Sequence, residues 1–393
     1  MKKLVTIVTS TIMFLMSAST IAAQELLNTA EKMMQDEDRL TIGGYGQVDY
    51  NQPLDAGAYR NGKLDVHRMV ILFGYKFSEK TRFITELEFE HVSEVYVEQA
   101  FLQHEIRPWL KFRGGLILIP MGIINELHEP TTFNGVERPN LDNIIVPTTW
   151  REIGAGFTGT FPVAALSYQV YVVNGFSSFD GSGTLKASNG FRSGRQKGAE
   201  SFMSAPNLAF QVNYFGIPGL QLGLSGYTGQ TQSTLYHGIE RNDQQQVATA
   251  DSSVVGLTMA GADAIYQFRG LQLRGQLNYG WVSNTPAYNE FTGSNLGSAI
   301  SGWYSELSYN VFRPVDRFDS ELIPFVRYER YNTHASVKGE ISRNPAFNRS
   351  DLTFGIGWKI TSGAMLKMDY QVFNNQVSND PAKQFNAGVA VWF

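Results

Sequence analysis

The 393-residue chain contains no cysteine. No disulfide can brace it and no thiolate can hold a metal, so closure of the fold must come from backbone pairing and side-chain packing. Beyond residue 23 it also lacks any run of eighteen apolar residues, which excludes a membrane-spanning helix there. An excess of one charge is missing too, since 32 Lys+Arg face 36 Asp+Glu for a net charge of −4. Such a balance gives no electrostatic footprint for a nucleic acid. Histidine is sparse. His67, His91, His104, His128, His237 and His334 are scattered with no recurring Ser, Asp or metal-ligand spacing, and no HExxH, GxSxG or phosphate-loop pattern occurs. The residues therefore nominate no catalytic group, no metal and no cofactor. The histidines read as ordinary rim or loop residues, and the chain reads as a protein that is not an enzyme.

What is present begins at the first residue. Met1-Lys2-Lys3 is a positive start, Leu4 to Met16 an apolar stretch, and Ile21-Ala22-Ala23 a small-residue cleavage site before Gln24. That order is the pattern of a secretory signal peptide, so residues 1–23 are expected to leave. Loss of Lys2 and Lys3 would lower the basic count from 32 to 30 against 36 acids, a mature net charge of about −6. Residues 24–39, QELLNTAEKMMQDEDR, set Leu26, Leu27, Ala30, Met33 and Met34 at helical spacing among charges. They read as a short periplasmic leader, either a helix or a frayed tail.

From Leu40 onward the period is two. In GLQLRGQLNYGWV, Leu271, Leu273, Leu277, Tyr279 and Trp281 share one face while Gln272, Arg274, Gln276 and Asn278 share the other. The split recurs at Trp303, Leu307, Tyr309 and Val311, at Leu352, Phe354, Ile356 and Trp358, and at Leu366, Met368, Tyr370 and Val372. Trp and Tyr fall towards the ends of these apolar rows, where an aromatic girdle meets a membrane interface. The mean hydropathy of −0.19 suits walls that face lipid on one side and water on the other. The pattern predicts strands at 40–50, 63–77, 81–92, 95–106, 109–119, 151–162, 165–175, 205–216, 219–229, 253–268, 270–282, 301–313, 321–333, 350–361, 364–374 and 384–393. That is about sixteen, an even number as a single-chain bacterial barrel requires. The expected fold is all-β, a transmembrane antiparallel β-barrel over 40–393. Short turns would face the periplasm and long loops, at 51–62, 120–150, 176–204, 230–252, 283–300 and 334–349, would face outside. The last ten residues, QFNAGVAVWF, end on Phe393, a terminal aromatic that reads as the assembly signal for the barrel-assembly machinery of a Gram-negative outer membrane.

In such a barrel function belongs to the lumen and the loops. Placing charges on the lipid face would cost about 2–4 kcal/mol each for basic groups near the midplane and less for acids. Glu86, Glu88 and Glu90 are therefore expected on a lumen wall, with Asp263, Arg274, Glu306, Arg327, Glu329, Lys359, Lys367 and Asp369 as further pore-lining candidates. Either opposed cationic and anionic walls set up a transverse field, or many of these charges pair with one another along the wall and select nothing. Arg68 is ambiguous, because Val66, Val70 and Leu72 share its parity. Loop 120–150 is long enough to carry function. Either it folds inward and offers Glu126, Glu129, Glu137, Arg138 and Asp142 to solutes, or it stays outside as a cap or trimer latch. Lys186, Arg192, Arg195 and Lys197 form a basic patch at the mouth, suited either to gathering anions or to lipopolysaccharide phosphates.

EQAFLQHEIRPWLKFRGGLILIPMG over residues 98–122, followed by VPTTWREIGAGFTGTF and later FVRYERYN, resembles the phosphate-selective porin O and P family. The resemblance implies a sixteen-stranded, trimeric diffusion channel. The family's lumen arginines have no one-to-one match here, and Leu116, Ile117, Leu118 and Ile119 stand where a polar wall would be expected. The reading is an outer-membrane porin for passive diffusion of small hydrophilic solutes or ions, in contact with lipid and lipopolysaccharide. The alternatives are an anion- or phosphate-preferring channel and an occluded barrel that binds a partner.

Overall fold

The computed structural model describes residues 25–393, apart from Ala56, Ala58 and Asp316. The expected signal peptide lies outside the described residues. Eighteen strands follow in order: β1 (Leu40–Pro53), β2 (Lys63–Ser78), β3 (Thr81–Glu90), β4 (Glu94–Arg107), β5 (Leu110–Leu118), β6 (Arg151–Phe161), β7 (Leu166–Val173), β8 (Ser177–Phe179), β9 (Asn207–Ile217), β10 (Leu220–Gln230), β11 (Gln232–Ser233), β12 (Gly256–Phe268), β13 (Leu271–Val282), β14 (Ala299–Tyr309), β15 (Glu321–Ser336), β16 (Asn348–Thr361), β17 (Ala364–Asn375) and β18 (Ala382–Trp392). All but β8 and β11 form one closed antiparallel barrel of sixteen strands. Each matches an expected strand within a few residues. β8 and β11 pair with each other in the loops above it.

Closure is made by β1 and β18, in register from Tyr45 opposite Trp392 to Pro53 opposite Gln384. No strand edge is left open, which removes backbone groups that in hydrocarbon would each cost several kcal/mol unpaired. The expected alternation holds. Along β9, Leu208, Phe210, Val212 and Tyr214 are exposed on the outer face while Asn207, Ala209, Gln211 and Asn213 are buried inside. Leu273, Leu277, Trp281, Trp303, Phe354 and Trp358 are likewise exposed outward. On β18, Val389 faces outward and Asn386 and Ala390 are buried inside, the parity counted back from Phe393. Arg68 points inward at 2% exposure beside buried Val70 and Leu72, whereas Met69 faces out. The ambiguity arose because the interior here is partly apolar.

Two segments fill that interior. Residues 119–150, between β5 and β6, run inside the barrel, and Ile119, Ile123, Ile124, Leu141, Ile145 and Trp150 join Tyr45, Val70, Leu72, Ile84 and Phe101 in one apolar cluster. This explains the apolar run before Pro120: Ile117 and Leu118 end β5 and Ile119 opens the inserted loop, and all three are buried. The second segment belongs to residues 24–39, for which the sequence left open a short periplasmic helix or a frayed tail. Thr29–Met33 is a short helix whose N-cap Asn28 accepts from the Glu31 amide, and it lies within the ring of strands. Leu26 N donates to Gln221 on β10 (2.9 Å), Glu31 pairs with Arg113 on β5 (2.5 Å), and Trp392 Nε1 on β18 donates to Thr29 (2.9 Å). Glu25 meets Ser167 on β7 and the Asp36 carbonyl meets Arg82 on β3. Five strands, β3, β5, β7, β10 and β18, thus hold it at the short-turn end. Among the described residues no helix is long and apolar enough to cross a membrane.

Candidate functional site: the inserted loop and its wall

The inserted loop meets the wall through hydrogen bonds that use most of the charges predicted for the lumen. On β13, β14 and β15, Arg274 Nε lies 3.1 Å from Glu306 Oε1, and Arg327 reaches Glu306 (3.3 Å) and Glu329 (3.1 Å). The loop covers this cluster. Asn134 donates to Glu306 (2.9 Å), the Leu141 amide to Glu329 (3.1 Å), the Val136 amide to Asp369 (2.6 Å), and Lys367 Nζ donates to the Phe133 carbonyl (2.8 Å). Arg274, Glu306, Arg327, Glu329, Lys367 and Asp369 are all buried. These side chains face inward, in the paired arrangement that the sequence left open beside that of opposed walls. Groups of opposite sign sit side by side on neighbouring strands and pair, so no cationic wall faces an anionic one there.

The loop carboxylates are occupied in the same way. Glu126 accepts from Gln169 (2.6 Å), Glu129 from the Thr29 amide of the leader (2.7 Å), Glu137 from Asn51 (2.8 Å) and Asp142 from Gln276 (2.8 Å). Arg138 Nη2 donates to the His128 carbonyl at 3.3 Å, and its Nε has no partner among the described residues. Asp263 is only partly buried and Lys359 lies at the short-turn end opposite Glu321. On the opposite wall Glu86 and Glu88 are buried and Glu90 is half-buried at the strand end. They do not form a free acidic strip: Glu86 accepts from Tyr45 (2.6 Å) and Gln99 (2.7 Å), and Glu88 lies 3.8 Å from Arg68.

Two groups were not singled out by sequence reasoning. His128 is 2% exposed and its Nε2 lies 3.2 Å from Glu98 and 3.4 Å from Glu86, so it is not a rim histidine. Glu98 sits at a bulge where β3 and β4 slip register between Glu86 and Leu87. The extra residue turns both Glu98 and Gln99 inward, and a strict period of two cannot predict that. Arg151 Nη1 completes the group at 3.4 Å from Glu98.

Above the inserted loop, the segment between β7 and β9 and that between β10 and β12 stack over part of the mouth. Trp150 stacks on Phe176 with centroids 4.6 Å apart, and Trp150 Nε1, Tyr227 and the Gly175 amide converge on Glu152. The expected basic patch divides here. Arg195 hydrogen-bonds the Thr148 carbonyl and Thr149 Oγ1, Lys197 lies 5.0 Å over the Tyr96 ring, and Lys186 is exposed apart from them. Burial, then the nearby Arg192 and Arg151, push the Arg195 guanidinium down to about 9. Arg192 instead lines a cavity of about 320 Å³ with Arg68, Arg138, Glu137, Asn140 and Gln371. The Nε and Nη2 atoms of Arg68 have no hydrogen-bond partner among the described residues. A second space of about 280 Å³, lined by Lys32, Lys359, Arg274 and Thr131, lies on the leader side of the loop.

No protein-family model matches the chain. An uncharacterized protein of Aquifex aeolicus strain VF5 is 30% identical over 370 residues, spanning 89% of this chain and 80% of that one. Among solved structures, the anion-selective porin from Comamonas acidovorans superposes with a TM-score of 0.58 at 12% identity, over 90% of this chain and 99% of its own. The Salmonella typhi OmpF complex with daunomycin gives 0.58 at 12%, over 90% and 97%. At that identity the likeness concerns fold, which is a closed sixteen-strand barrel of outer-membrane porin type.

Proposed function

We propose, for a chain that belongs to the same family as the uncharacterized Aquifex aeolicus protein, that it is an outer-membrane porin passing small hydrophilic solutes by passive diffusion along a narrow path beside the inserted loop. One observation carries the reading. The outer faces of the barrel are apolar, while the inner faces place charges of both signs around a loop that is hydrogen-bonded to the wall on several sides. Passage is limited by what the loop and the leader leave open, the two polar cavities of about 320 and 280 Å³ on either side of residues 133–138. A homotrimer in the outer membrane belongs to the same proposal. The chemistry we assign to the lumen is selection by size and charge.

Liposomes reconstituted with the protein test the proposal through their swelling in isotonic sugars. Swelling that falls steeply between a pentose and a disaccharide is the expected result. Vesicles that resist even the smallest solute would favour an occluded barrel, a reading supported by the apolar cluster joining loop, leader and wall. An anion preference is the other finer reading, supported by Arg68, Arg138 and Arg192 around one cavity.

A further inference from the structure

The junction between the inserted loop and the wall is built like a metal centre. His128 Nδ1 lies 3.1 Å from the Asn125 carbonyl, a partner that can only accept, so this nitrogen carries a hydrogen. In the neutral ring the other nitrogen, Nε2, is then a lone pair. It faces two carboxylate oxygens, Glu86 Oε1 at 3.4 Å and Glu98 Oε2 at 3.2 Å. Three acceptors facing one another need a cation between them. Each carboxylate is also held from behind: Gln99 Nε2 takes Glu86 Oε2 (2.7 Å) and Arg151 Nη1 takes Glu98 Oε1 (3.4 Å). That leaves one oxygen of each carboxylate directed at the centre, the outer-shell support that metal sites characteristically have. The Tyr45 hydroxyl, 2.6 Å from Glu86 Oε1 and 3.4 Å from Glu98 Oε2, closes the group. All four side chains are buried.

We propose that Glu86, Glu98 and His128 bind a divalent transition-metal ion, best fitted by Zn²⁺, which ties the inserted loop to β3 and β4. Donors about 2.0–2.1 Å from a tetrahedral zinc lie roughly 3.3 Å from each other, close to the 3.2 and 3.4 Å separations found here. One imidazole nitrogen and two carboxylate oxygens form a donor set that suits zinc, and the fourth position is left to a water. Spacing along the sequence conceals the site, because its ligands come from two strands and a loop, one of them through a bulge. The assignment goes beyond the channel reading and can fail or stand without it.

The test uses the full-length folded protein in detergent, loaded with ZnCl₂, dialysed against metal-free buffer and assayed for zinc. One zinc retained per chain is expected, and CoCl₂ in its place should give the visible absorption of a tetrahedral cobalt site. His128→Gln and Glu98→Gln should each weaken zinc binding by at least about tenfold, the size of effect even outer-shell changes produce. Unboiled gel migration shows whether the variants are folded. Wild-type protein that retains no zinc overturns the proposal whatever the variants do, and leaves a proton on His128 as the cation between the carboxylates. Equal retention by wild type and both folded variants overturns it as well.

Discussion

Arg327 Nε lies 3.1 Å from Glu329 Oε1 while its Nη1 lies 3.3 Å from Glu306 Oε2, with all three side chains buried under the inserted loop. Removing this guanidinium takes from Glu329 its ion-pair partner and leaves Glu306 with Arg274 alone, in a dry setting. Arg327→Ala is therefore expected to destabilise the folded barrel by about 3–5 kcal/mol. Exposed Arg313, on the turn before β15, should cost less than about 1 kcal/mol when replaced by Ala. Urea titration followed by unboiled gel migration compares the two. Equal midpoints would mean that the buried network contributes nothing.

The tip of the inserted loop hangs on Asp369, which accepts from the Val136 amide at 2.6 Å and from Asn386 Nδ2 at 2.7 Å. Asp369→Ala leaves that amide and Asn386 without their acceptor, at a cost of roughly 1–3 kcal/mol each where they stay dry. Release of the tip is the cheaper outcome. Single-channel records of this variant should show more frequent transitions between conductance levels than the wild type, and records indistinguishable from wild type would mean that other contacts hold the loop.

Arg68 is a buried charge at the 320 Å³ cavity whose Nε and Nη2 have no hydrogen-bond partner among the described residues. Arg68→Gln should move the zero-current potential in a salt gradient towards cation preference. The triple change Glu86→Gln, Glu88→Gln, Glu90→Gln should act less directly on permeant ions, since Glu86 and Glu88 are engaged within the wall. A larger effect from the glutamates than from Arg68 would contradict this ordering.

Phe393 and Gly44 exchange both of their backbone hydrogen bonds at 2.9 Å across the β1–β18 seam. The Phe393 ring packs so closely that a Cβ added at Gly44 would lie 2.7 Å from it and 2.4 Å from the Val70 carbonyl. Deleting Phe393 or making Gly44→Val should each reduce the heat-modifiable folded form recovered from membranes, and normal recovery of both would remove the seam from the account.

Much of this fold was legible because a barrel wall obeys one rule. Leu273, Leu277 and Trp281 against Arg274, Gln276 and Asn278 announce a two-sided strand without reference to any other part of the chain. What filled the barrel was less legible, for reasons of the same kind. Leu26, Ala30 and Met33 show a helical stripe but not what it packs on, and the Glu31–Arg113 pair links residues 82 apart. Glu98 escaped because a bulge breaks parity, and His128 because a histidine's environment in a long loop depends on where that loop folds. Whether the lumen charges oppose one another or pair stayed open in the sequence, because pairing depends on the strand order and register that set Glu306, Arg327 and Glu329 side by side.

The leader and the loop together determine how much of the lumen stays open, so the most direct measurement is single-channel conductance in planar bilayers for the wild type and for a chain lacking residues 25–38. The account predicts discrete, small steps for the wild type and steps at least about twofold larger once the leader no longer occupies the short-turn end. Folded protein that gives no steps in either form would contradict it.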